Sequence, residues 1–70
     1  MNLIILNEKI KEAKISETDI ADKMGISPRI LKLKLSGKKG FYVSEVNLLS
    51  EILDLSYEDR MYIFLDKRVT

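Results

Sequence analysis

Ser16 to Lys39 reads SETDIADKMGISPRILKLKLSGKK, and its punctuation decides the fold. Ser16 stands before an amphipathic run as a helix N-cap, with Asp19 three residues on as a capping-box-like partner. Ile20, Ala21 and Met24 recur at helical spacing and face inward. Gly25 then supplies a left-handed turn that a residue with a Cβ adopts only at a cost. Ser27 caps a second helix, and Pro28 takes its first position, where the missing N–H is harmless. That helix ends near Ser36-Gly37.

The flanking sequence is helical as well, with no strand-like alternation and no repeats. A first helix is predicted from about Leu3 to Lys14, with Leu3, Leu6, Ile10 and Ala13 on one stripe. Lys38-Lys39-Gly40 reads as a loop, and Phe41-Tyr42-Val43 as an extended connection packing its apolar side chains on the core. Ser44 is the expected cap of a fourth helix, with Val46, Leu49 and Leu53 buried. Ser56 is the expected cap of a fifth, with Asp59 at the third position and Tyr57, Met61, Phe64 and Leu65 inward. The tail Lys67 to Thr70 is expected to fray. The expectation is an all-α, compact five-helix fold in a single domain, residues 1–70.

Composition bounds the function. Seventy residues lie near the lower limit for a self-supporting core. Without Cys or His, disulfides and the common zinc sites are excluded, so helix packing must close the core, alone or with a partner subunit. The carboxylates, lysines and hydroxyls are scattered singly and the glycines form no phosphate-binding fingerprint. No enzyme, metal site, cofactor or small-molecule substrate is therefore expected. The apolar stretch Leu3 to Leu6 is far too short to span a membrane, so a cytoplasmic protein is expected.

The formal net charge of +1 hides an asymmetry: from Lys23 to Ser44 there are six basic residues and no acid, leaving −5 for the remainder. At about 100° per residue, Leu31 and Leu35 share the core face of the second motif helix, with Ile30 and Lys34 on its margins. Arg29, Lys32, Leu33 and Ser36 fall on the opposite side. Two helices, a glycine turn and a basic outer face compose a helix-turn-helix DNA-reading unit. Arg29 has the fork to hold guanine O6 and N7, Lys32 reaches a base edge or a phosphate, and Leu33 packs on a thymine methyl. Pro28 lies at the end that enters the groove first. Base contact is thus expected from Pro28, Arg29, Lys32 and Leu33, and backbone contact from Ser27, Ser36, Lys38 and Lys39. Each also has a plainer reading: Ser27 as a cap, Pro28 as a first-turn proline, Leu33 as a protein contact, and the two lysines as solvated loop residues.

At these residues the chain resembles the lambda-repressor-like (Cro and Xre type) helix-turn-helix domains. Ile20-Ala21 matches the aliphatic-alanine pair of that family, Gly25 its turn glycine, and Ile26-Ser27 its apolar-then-capping pair. Leu31 corresponds to its buried recognition-helix residue and Ser36-Gly37-Lys38 to its exit. The run from Phe41 to Ser56 resembles small phage-associated members, so the resemblance spans nearly the whole chain. Glu17 stands where many relatives carry a Gln that helps hold phosphate, and Leu33 where many carry a polar residue. The resemblance implies a small transcriptional regulator that binds double-stranded DNA with the helix of about Ser27–Ser36 in the major groove. A homodimer through Tyr62 and Ile63, which fall off the inward stripe of the fifth helix, is expected to present two such helices. The alternative is a protein-interaction adaptor, or antirepressor-like module, on the same fold without DNA.

Overall fold

Five helices and no strand make up residues 1–64, the part of the chain that the computed structural model describes. They are α1 (Leu3–Ala13), α2 (Glu17–Met24), α3 (Pro28–Leu35), α4 (Val43–Ile52) and α5 (Tyr57–Phe64). The expected all-α, five-helix architecture is what forms. Among the described residues, no helix is long and apolar enough to cross a membrane.

Local chemistry sets most of the boundaries. The Oγ atoms of Ser16, Ser27 and Ser56 each accept the backbone N–H three residues on, from Asp19, Ile30 and Asp59, all at 3.1 Å. Asn2 does the same for α1 through its Oδ1, taking the Ile5 N–H at 3.1 Å. Each of these caps satisfies an N–H that the helix itself cannot. The α2 helix ends at Gly25, whose φ of +74° is left-handed. There the Gly25 N–H reaches the Asp22 carbonyl at 3.1 Å and the Ile26 N–H the Ala21 carbonyl at 3.0 Å, the paired bonds of a Schellman turn. The α3 helix closes in the same way through Gly37 (φ +85°), with the Lys38 N–H on the Leu33 carbonyl at 3.0 Å.

Packing joins α2 to both α3 and α4, and α1 to α5. Leu6, Ile20, Leu31, Leu49 and Ile63 are the largest fully buried side chains, and each comes from a different helix. Ala21, also fully buried, supplies the small side chain between α2 and its neighbours.

Three expectations are corrected. The α4 helix is not capped by Ser44: it begins at Val43, with Tyr42 in the capping position. The cause is Glu45, whose Oε1 turns back to accept the Tyr42 N–H at 2.9 Å and so starts the helix earlier. Of the connection Phe41-Tyr42-Val43, only Phe41 packs on the core; Tyr42 and Val43 are exposed. On α5 the inward face is not that of Tyr57 and Met61, which are exposed; it is centred on Ile63, which is completely buried. Two contacts to the α1 side turn the helix this way: the Asn2 N–H donates to the Ile63 carbonyl at 2.7 Å, and Lys9 pairs with Asp59 at 3.5 Å. Leu65 and the tail Lys67 to Thr70 lie outside the described residues.

The turn at Gly25 offers a clean test, because a Cβ there would meet nothing within 4 Å. A Cβ at this position is therefore penalised by conformation and not by crowding. Gly25→Val is expected to lower unfolding stability by more than ~1 kcal/mol in a denaturant titration, and Gly25→Asn by clearly less. Equal stability of all three proteins would contradict the left-handed turn.

Candidate nucleic-acid interface

The exposed face of α3 and the loop that follows it form the candidate interface. Ser27, Pro28, Arg29, Lys32, Ser36, Lys38 and Lys39 are all exposed. Leu31 and Leu35 anchor the opposite face in the core, as the helical arithmetic requires. Leu33 departs from its expected fully outward place and is half-buried. Its turn of the helix is where the loop closes back: the Leu33 carbonyl accepts the Ser36 hydroxyl at 3.0 Å and the N–H groups of Lys38 and Lys39 at 3.0 and 3.2 Å. Lys38 and Lys39 are thereby held beside the last turn of α3 by their own backbones, with their side chains in solvent.

Ser27 is engaged locally, since its Oγ already accepts the Ile30 N–H. A hydroxyl has a donor to spare in that role, so capping leaves it able to donate to an anion. Ser36 spends its hydroxyl proton on the Leu33 carbonyl and retains only acceptor capacity in this rotamer. Among the described residues, Arg29, Lys32, Lys38 and Lys39 have no ion-pair partner; the pairs that form are Lys9 with Glu12 and Asp59, and Lys34 with Glu45. Four uncompensated cations on one surface produce a positive potential that the modest net charge of the chain conceals.

Lys34 does not belong to that surface. Reading it only as a margin residue of a basic block missed its role, because its side chain is 3 % exposed. The ammonium donates to the Gly40 carbonyl at 2.8 Å and lies 2.9 Å from Glu45 Oε1. The rings of Tyr42 and Phe41 flank it, with centroids at 4.8 and 5.7 Å. The signal for this in the sequence was slight: a lysine on the core margin, two aromatics, and a first acid at Glu45 after a run of bases.

Glu45 is the counterpart. Burial pushes its carboxyl pKa up, but the Tyr42 N–H, the hydrogen bond from Lys34 and the Lys34 charge together outweigh burial and hold it below its ordinary value.

The dimer residues part company. Tyr62 is exposed, whereas Ile63 is core and is unavailable to any partner, because α5 turns it against α1. No protein-family model, curated protein or solved structure matches the chain.

The state of Glu45 carries a pH dependence. Its pKa is lower folded than in the unfolded chain, where a Glu titrates near ~4.3. The stability it contributes is therefore complete above that pH and is lost as pH falls through the folded value. Glu45→Gln is expected to be less stable at neutral pH, and the gap to wild type should narrow as pH drops below about 4.3. Thermal melts across that range check this; parallel acid profiles would show that the carboxylate contributes nothing.

Proposed function

We propose that this chain is a sequence-specific double-stranded DNA-binding domain that acts as a small, cytoplasmic transcriptional regulator of the Cro/repressor type. The observation that carries the proposal is the set Arg29, Lys32, Lys38 and Lys39, exposed and without an ion-pair partner among the described residues, on the helix that follows the Gly25 turn and the loop after it, with Leu31 and Leu35 turned inward. Such a helix can enter the major groove by its N-terminal end while the loop beyond it meets phosphate. In this reading Arg29 is the guanine reader, Lys32 a base or phosphate contact, and Pro28 shapes the entering end. Leu33, half-buried, presents only part of its surface to a thymine methyl. Ser27, Lys38 and Lys39 set the register on the backbone, with Ser36 a lesser contributor because its proton is engaged.

A homodimer completes the reading, presenting two α3 helices about 34 Å apart on a pseudo-palindromic site. Tyr62 suits its interface, being 67 % exposed on α5. Exposed apolar side chains also favour a second reading, a protein-interaction adaptor: Tyr57 and Tyr62 on α5, with Met61 between them, are large and accessible. Salt separates the two, since DNA affinity must fall steeply with salt and a partner protein need not follow.

Two substitutions test the division of labour on α3, using fluorescence anisotropy on selected and random duplexes. Arg29→Ala is expected to cost ~1–3 kcal/mol on the selected site, relax preference at one base pair per half-site, and weaken random binding much less. Replacing both Lys38 and Lys39 with Ala should weaken all sequences about equally and flatten the salt slope by roughly one or two units. Equal losses from Arg29→Ala on both duplexes would make Arg29 a phosphate clamp; no salt-dependent binding by the wild-type chain would favour the adaptor.

A further inference from the structure

Lys34 is buried on the one helix whose other cations all face solvent, and burying an ammonium is costly. An apolar residue could fill the margin beside Leu31 and Leu35 without that penalty. What the charge does is specific: its partners are the Gly40 carbonyl and the Tyr42 ring on the segment that leaves α3, and the Glu45 carboxylate in the first turn of α4, where that segment ends. The other end of that segment is tied to the same helical turn, through the Lys38 and Lys39 N–H groups on the Leu33 carbonyl and the Gly37 N–H on the Lys34 carbonyl at 3.2 Å. Lys38 and Lys39 therefore sit in a short bridge with both abutments on Leu33 and Lys34.

We propose that Lys34 is a positioning residue that latches residues 40–45 to α3 from inside and so fixes Lys38 and Lys39 where they meet phosphate. The role rests on the DNA-binding reading above. Without the ammonium, Gly40 loses its donor and Glu45 its cation; Phe41 still packs on the core, but the bridge opens more often and breaks the Lys38 and Lys39 N–H bonds to Leu33 as it does so. The two exposed lysines would keep their charge but lose their fixed placement. Binding would then have to order the loop, and affinity would fall equally on every sequence.

The test is Lys34→Met, which keeps an unbranched apolar stem and removes the charge. Amide hydrogen exchange and duplex binding are measured on the same protein. The Lys38 and Lys39 amides are expected to exchange about tenfold faster or more, while the Ile10 and Ile20 amides stay within about threefold of wild type. Affinity should drop several-fold on selected and random duplexes alike, leaving the Arg29-dependent preference intact. Glu45→Gln, which retains an acceptor for the Tyr42 N–H, should give the same pattern at smaller size and serves if Lys34→Met does not fold. Uniform acceleration of all four amides, or none at Lys38 and Lys39, overturns the latch. A loosened loop with unchanged affinity overturns its role in binding. If wild type shows no salt-dependent DNA binding, the DNA reading and this role fall together, while the exchange result separately decides the latch.

Discussion

One side chain from each helix meets at the centre of this protein, and everything else depends on that meeting. Leu6, Ile20, Leu31, Leu49 and Ile63 are completely buried, so each helix is held by an apolar anchor from its own sequence. Helices of eight to eleven residues are too short to persist alone in water, and tertiary burial is what stabilises them. The anchor in α3 has a second consequence. By turning Leu31 inward it fixes the rotation of the helix, and with it the direction in which Arg29 and Lys32 point.

Around this core the charges are sorted by depth. Lys34 is taken inside and the partly covered Glu45 pairs with it; the ammonium also donates to the Gly40 carbonyl and the carboxylate accepts the Tyr42 N–H. Among the described residues, no buried side-chain polar atom is left without a partner. That is the condition under which a buried pair is tolerated at all. Of the cations left outside, Arg29, Lys32, Lys38 and Lys39 lie on α3 and its loop. Glu17, at the start of α2, is half-buried.

Much of the architecture was legible because its determinants are local. A serine that accepts an N–H three residues ahead, a proline at a first helical position and a glycine at positive φ all act within one turn of chain. Sequence alone therefore places the ends of α2 and α3 and the start of α5. It also orients α3, since Leu31 and Leu35 stand out against charged neighbours. The α5 helix was not legible in this way. Tyr57, Met61, Tyr62, Ile63 and Phe64 surround most of its circumference, so periodicity selects no face.

The sequence by itself thus determined five helices, the serine caps of α2, α3 and α5, the glycine turn and the outward direction of Arg29 and Lys32. The caps and the turn rest on contacts between residues about a turn apart, and the helices and the face of α3 are legible from the spacing of their own apolar residues. Only the tertiary structure decided that Ile63 is core and Tyr62 surface, that α4 begins at Val43, and that Lys34 points inward. For Ile63 and Lys34 the deciding partner is distant in sequence or on another element, whereas the start of α4 is set by Glu45, only three residues from Tyr42. The Asn2 N–H holds the Ile63 carbonyl across almost the whole described chain, and Glu45 draws in a lysine eleven positions earlier while it caps Tyr42. A side chain that can satisfy itself nearby is readable from its neighbours; one whose charge or face is settled by another helix is readable only in the fold.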